Sequence, residues 1–282
     1  MMGLPLTRVA LRACSRFPPR FLPCFPAMLE SLLLQTDLSL VQFAGVAAII
    51  IWAYTIFGLT GFGSSIMAIP LLTQIVPLRT AVPMILLFDI ILGTMLGLRN
   101  RHNVHTGELK RIVPSVIAGM ILGLLLLVYA PERPLLFVLG LFVLLHSGWS
   151  LLFKRGFSEL NPRLSTPFGL AGGMLTSMFG TGGPVYAIYL AGRLRDPAQL
   201  RATTSILVVI TAFTRLILFA LAGLYVNTAI FVLAAMLVPF AFIGYLIGVW
   251  LHKRIAPAKV VRVVWAVLIV AGVGLLVRSV LG

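Results

Sequence analysis

Acidic side chains are nearly missing from this sequence. Seven Asp and Glu stand against 22 Lys and Arg in 282 residues, and charged residues make up only 10% of the chain. A soluble domain averages about 25% charged residues, so the scarcity excludes an ordinary water-soluble fold. Cysteine is as scarce: Cys14 and Cys24 are the two in the chain, both near its start. The rest of the sequence therefore has no disulfide framework and no thiolate metal centre. Zinc motifs of the HExxH kind, the GxSxG nucleophile elbow, a Walker phosphate loop and paired carboxylates within one segment are all absent. Those absences leave no hydrolytic constellation, no nucleotide-driven pump and nothing that requires a cofactor or metal. The net charge of +15 is not interleaved with aromatics in the manner of a nucleic-acid surface, and no nucleic-acid partner is expected.

What is present is apolar. Hydrophobic residues make up 60% of the chain, in runs long enough as helices to cross about 30 Å of hydrocarbon. They fall approximately at 41–57, 64–76, 81–98, 109–129, 134–153, 167–178, 184–192, 202–224, 229–251 and 260–280. The basic residues lie between them, where cytoplasmic loops collect Lys and Arg. The expectation is an all-α integral membrane protein with the lipid bilayer as its surroundings. Residues 1–37 form an N-terminal tail with Arg8, Arg12, Arg16, Arg20 and five prolines as far as Pro26. It lacks the continuous apolar stretch of a signal peptide. It reads as disordered, or as a mis-assigned start with Met28 as the true one.

Two glycine-rich breaks interrupt the apolar runs: GLTGFGSSIMAIPLL from Gly58 and FGTGGPVYAIYLAG from Phe179. With Ala68-Ile69 set over Ala187-Ile188, an offset of 119, Gly61 falls on Gly180 and Gly63 on Gly182. The correspondence continues. Leu78-Arg79 matches Leu200-Arg201 at offset 122, and VPSVIAGMILGLLL from Val113 matches VPFAFIGYLIGVWL from Val238 at offset 125. The chain thus reads as two homologous halves, 38–155 and 163–282, joined by a linker at 156–162. Loop charges then decide their relation. If the loops carrying Arg99 and Arg101, Lys154 and Arg155, Arg193 and Arg195, and Lys253 and Arg254 are assigned by the positive-inside rule, 167–192 must enter and leave by one face or cross as two thin segments. Each half then holds a broken half-helix hairpin plus three spanning helices, about eight hydrophobic segments or ten with half-helices counted. The two repeats are inverted. This puts the N-terminus outside, against the tail arginines unless Met28 is the start.

Matched breaks in two halves point to a transporter binding site. Short helices beginning at Ser64 and Pro184 would aim unpaired N–H groups and positive dipole ends inward, a setting suited to an anion. The candidate substrate contacts are Gly61, Gly63, Ser64, Ser65, Gly180, Thr181, Gly182, Gly183 and Pro184. The competing reading is that these glycines only let helices pack closely. Asp89 lies mid-segment, its repeat counterpart is Thr211, and Arg215 falls opposite Gly93. Intramembrane charges are functional candidates by default. They either pair to hold the bundle together or divide the work, Arg215 attracting an anion and Asp89 answering to protons. Arg79 and Arg201 stand at equivalent helix entries, where they either draw anions to the pathway or serve as loop charges. His146 reads as a packed histidine, and Gly119 with Gly123 and Gly244 with Gly248 as helix-packing pairs.

The two glycine motifs and the two Val-Pro-x4-Gly-x3-Gly helices resemble the sulfite exporter TauE/SafE family of membrane permeases, over nearly the whole chain from about residue 38. The resemblance implies a bacterial inner-membrane, multi-pass transporter of small anions, either sulfur-containing ones such as sulfite, a sulfonate or thiosulfate, or related organic acids. The family pattern often carries four glycines in the first break. Gly61-Phe62-Gly63-Ser64 is bulkier and reshapes that side. The expected function is a secondary permease, possible proton coupling included, and not an enzyme. An anion channel and an intramembrane enzyme or assembly factor are the alternatives.

Overall fold

A computed structural model describes residues 38–60, 63–97, 103–152, 160–252, 254 and 257–281. The N-terminal tail, Gly61 and Phe62, Arg99 and Arg101, most of the linker and Lys253 lie outside the described residues. The described residues form ten α-helices and one 3-10 turn, with no strand. The helices are α1 (Leu40–Thr60), α2 (Ser64–Leu72), α3 (Leu78–Gly97), α4 (Thr106–Tyr129) and α5 (Glu132–Leu152). After the turn Pro162–Leu164 come α6 (Ser165–Phe179), α7 (Gly183–Ala191), α8 (Pro197–Leu221), α9 (Ala229–His252) and α10 (Pro257–Leu281).

The all-helical expectation holds. Boundaries shift: the run at 41–57 extends to 21 residues as α1, because Gly58-Leu59-Thr60 continue the helix instead of starting the break, the run at 64–76 stops as a helix at Leu72, and that at 202–224 begins as one at Pro197. Among the described residues, four helices are long and apolar enough to cross a membrane: Leu40–Leu59, Thr106–Tyr129, Pro197–Leu221 and Ala229–Leu251. In contrast α2 and α7 have nine residues each, about 13 Å at 1.5 Å per residue.

The chain divides into two compact units, 1–45 and 46–282. Of the first, 38–45 are described. There Ser39 N–H donates to Gln42 Oε1 at 2.9 Å and Gln42 N–H donates to Ser39 Oγ at 3.2 Å, a reciprocal capping box. The second unit holds both breaks.

Within 46–282, glycines 125 apart meet carbonyls 119 apart in the same way. A Cβ built on Gly119 would lie 2.2 Å from the Leu170 carbonyl oxygen, and one on Gly123 2.5 Å from that of Met174. The counterparts repeat this: Gly244 against Ile51 O at 2.4 Å and Gly248 against Thr55 O at 2.2 Å. So α4 packs on α6 and α9 on α1, each through paired glycines that let backbones meet where lipid gives no hydrophobic drive. The same correspondence relates the contact of α4 with α8 to that of α9 with α3, while α3 meets α8 and α5 meets α10. The helix-packing reading of the GxxxG pairs is thereby borne out.

The helix ends follow local chemistry. Gly180 caps α6 at φ 68°, with its N–H on Thr176 O at 2.8 Å and Thr181 N–H on Leu175 O at 3.3 Å, a left-handed cap that glycine adopts without Cβ strain. Gly63 stands before α2 at φ 91°. Pro184 occupies the first turn of α7, where its missing N–H costs nothing.

Candidate functional site

Asp89 is the centre of the first wall. It comes from α3, and three hydroxyls converge on its carboxylate. Ser64 Oγ donates to Oδ1 at 2.7 Å, Ser65 Oγ to Oδ2 at 2.6 Å and the Tyr54 hydroxyl to Oδ1 at 2.8 Å. Ser64 and Ser65 are held in place by the first turn of α2, which begins at the left-handed Gly63. A carboxylate away from water needs such donors. Tyr54 is fully buried and packs edge-on against Phe57 and Phe88, with ring centroids 5.9 and 5.8 Å away.

The second wall is built from α6, α7 and α8. Thr176 Oγ1 donates to Gly172 O at 2.7 Å and shares a 2.6 Å hydrogen bond with the Tyr186 hydroxyl. Gly182 fits against this pair: a Cβ there would sit 1.8 Å from Thr176 Oγ1 and 2.3 Å from Gly172 O. Arg215 of α8 is 3% exposed, its guanidinium carbon 5.4 Å from the Phe219 ring centre. Its Nε and Nη2, and the Thr181 hydroxyl, are buried without a hydrogen-bond partner. Asp89 and Arg215 make no direct ion pair, so the reading in which they clamp each other is not what their contacts display. Beyond α8, the Tyr225 hydroxyl donates to Pro83 O at 3.2 Å. Burial pushes Tyr225 up to about 12, the nearby Arg215 charge pulling the other way, and the phenol stays neutral.

Between the walls is a cavity with about 90 Å³ of water-accessible space. It is lined by Gly63, Ser64, Ser65 and Asp89 from one half and by Gly180, Thr181, Gly183, Pro184, Thr211 and Arg215 from the other. The repeat offsets recur here. Phe57 and Thr176, Ser64 and Gly183, Ser65 and Pro184, Leu86 and Val208, Asp89 and Thr211, and Gly93 and Arg215 all line it, the first three pairs 119 apart and the last three 122. Equivalent backbone places carry different chemistry: an acid with hydroxyls on one side, a guanidinium and Thr181 on the other. Gly180 joins the two. A Cβ on it would lie 2.7 Å from Ser65 Oγ and 3.1 Å from Arg215 Nη1. Both short helices begin here, with no side-chain cap at Gly63 or Gly182, so their positive ends face the cavity.

The structure thus brings together eight of the nine candidate contacts: seven line the cavity, and Gly182 supports it from behind. Gly61 lies outside the described residues. Arg79 and Arg201 are elsewhere. Arg79 Nε and Nη2 donate to Leu127 O at 3.1 Å and Ala130 O at 2.9 Å, closing the C-terminus of α4, and Arg201 is exposed on the first turns of α8. His146 stacks on Phe142 at 5.8 Å, away from the cavity.

Sequence reasoning missed two features. One is Tyr54, which reads as one more aromatic in an apolar run. The other is Glu108, which is 3% exposed at the start of α4. It accepts from the Tyr189 hydroxyl at 2.7 Å, from Arg111 Nη1 at 2.8 Å and from Arg193 Nη2 at 2.9 Å. This cluster ties the far end of α7 to α4. The available signal was an acidic residue at a helix start, in a chain with only seven acids.

Two curated relatives are similar to this chain. A probable inner membrane transporter protein, TsaS, of Comamonas testosteroni is 29% identical over 196 residues, 68% of this chain and 81% of that one. A probable sulfite/organosulfonate exporter, TauE, of Cupriavidus necator is 30% identical over 171 residues, 60% of this chain and 66% of that one. No solved structure matches the chain. The family model for "Sulfite exporter TauE/SafE" matches residues 46–275, a stretch containing both breaks, both walls of the cavity and both glycine-paired helix contacts. This multi-pass membrane protein belongs to the sulfite exporter TauE/SafE family.

Proposed function

We propose that the chain is a secondary permease of the bacterial inner membrane that carries a small sulfur-containing anion, of the sulfite, sulfonate or thiosulfate type, through the cavity between its two halves. One observation carries the reading: Arg215 presents two buried N–H groups, on Nε and Nη2, without a partner, on a cavity where two helix starts converge. A guanidinium fork matches the spacing of two oxygens on one oxyanion. Thr181 adds a hydroxyl donor from the second break. The relatives' names, an inner membrane transporter and a sulfite/organosulfonate exporter, favour the same assignment.

Two finer statements belong to this reading. Asp89 is the coupling group: its carboxylate lines the same cavity as Arg215, where a proton carried on it would cross together with the anion. The halves are inverted repeats that rock about the shared cavity, exposing it first to one side and then to the other. The matched contacts of α4 with α6 and of α9 with α1 support a pseudo-twofold relation between the halves.

Radiolabelled sulfite uptake into proteoliposomes tests the proposal. Losing two hydrogen bonds to a charged group costs about 3 kcal/mol or more, a loss of affinity of at least about 100-fold. Arg215→Ala is expected to lose uptake to that extent, and Arg215→Lys to recover only part of it. Full uptake by Arg215→Ala overturns the assignment. Uphill accumulation driven by an imposed pH gradient separates a coupled carrier from a channel.

A further inference from the structure

Resting on the anion reading above, we infer that this cavity admits only compact oxyanions of about four or five heavy atoms, and that Phe57 sets the limit. A cavity of about 150 Å³ takes benzene, with six heavy atoms. In proportion, the 90 Å³ found here takes roughly four. Sulfite has that size. Thiosulfate and sulfate are one atom larger, whereas an organosulfonate with a two-carbon acid tail is about twice as large.

The polar groups fix where the head of an anion lies, against Arg215 and Thr181. A tail must then run along the rest of the wall, where Ile66, Leu86, Val208 and Val209 stand among hydroxyls and Phe57 is the largest apolar side chain. Phe57 is 5% exposed. Its ring is held between Tyr54, edge-on at 5.9 Å, and Tyr245, tilted at 6.2 Å, while Tyr54 is anchored to Asp89. A ring packed on two sides does not swing aside without cost. The repeat supplies an internal contrast: position 176, equivalent to 57, carries the small Thr176. One half thus leaves room at this place and the other fills it.

The test is calorimetric binding to the full chain in nanodiscs, with sulfite, thiosulfate, methanesulfonate, ethanesulfonate and sulfoacetate as probes. Each methylene that a tight apolar wall rejects is worth about 10-fold or more. Affinity is expected to fall stepwise from methanesulfonate to ethanesulfonate, with sulfoacetate weakest. Phe57→Ala is expected to raise ethanesulfonate affinity relative to sulfite by about 10-fold, the ratio being read within the one variant. Phe57→Leu, which disturbs packing less, should give a smaller change of the same sign. Equal affinity of the wild type for sulfite and sulfoacetate overturns the size limit while leaving the anion site standing. An unchanged ratio in both variants removes Phe57 as its cause. No binding of any probe by the wild type refutes the anion reading itself.

Discussion

Gly180→Ala is the sharpest probe of the junction between the halves. Gly180 has φ 68°, in the region where an L-residue carries a penalty of about 1–2 kcal/mol. Its new Cβ would stand 2.7 Å from Ser65 Oγ, 2.8 Å from Ser65 Cβ and 3.1 Å from Arg215 Nη1. Ser65 must move, and its 2.6 Å bond to Asp89 goes with it, at a further cost of about 1.5–3 kcal/mol for a hydrogen bond to a charged acceptor. The sum is about 2.5–5 kcal/mol, and thermal unfolding of the detergent-solubilised protein should fall by roughly 5–20 °C at about 2–4 °C per kcal/mol. Ser65→Gly removes both Ser65 atoms from the clash, so the double variant should be more stable than the separate losses predict. Gly183→Ala is the control from the same break. A Cβ there meets nothing within 4 Å, and stability should be unchanged. Equal losses at Gly180 and Gly183, or strict additivity of Gly180→Ala with Ser65→Gly, would refute the geometry.

Three further outcomes follow from the same contacts. Asp89→Asn should abolish the dependence of anion flux on an imposed pH gradient, and a pH profile like that of the wild type rules Asp89 out as the coupling group. Glu108→Ala strands two arginines and the Tyr189 hydroxyl. Breaking a buried pair costs about 3–5 kcal/mol, but Arg193 and Arg111 are 23% and 46% exposed, so a loss of about 2 kcal/mol is expected in a thermal melt, with Glu108→Gln closer to wild type. Gly119→Val and Gly248→Val each force a side chain into a carbonyl 2.2 Å from the Cβ position. Both should abolish monodisperse folded protein by size-exclusion chromatography, whereas Gly148→Ala, with open space around it, should not.

Much of the site was legible because membrane chemistry makes certain residues conspicuous. An Asp and an Arg inside apolar runs stand out, as do the glycines of the two breaks, and Asp89, Arg215, Gly63, Gly180 and Gly183 meet at one cavity. The end of α1 was less legible: Gly58-Leu59-Thr60 looks like the start of a break, yet Gly58 continues the helix and is needed for packing, its Cβ position 2.5 Å from Tyr245 O. Arg79 and Arg201 occupy equivalent places in the sequence but carry different contacts. Arg79 reaches carbonyls at the end of α4, a partner more than 45 residues away along the chain, which no local pattern announces. Tyr54 was hidden for the same reason. Its role is set by Asp89 on another helix, 35 positions on.

The most direct measurement is a crystal structure of the full chain grown with selenite, the heavier analogue of sulfite, and phased at the selenium edge. The account predicts one strong anomalous peak in the cavity, with selenite oxygens within hydrogen-bond distance of Arg215 Nε and Nη2 and of the Thr181 hydroxyl. An occupied selenite site elsewhere in the protein, with Arg215 left unpartnered, would contradict it.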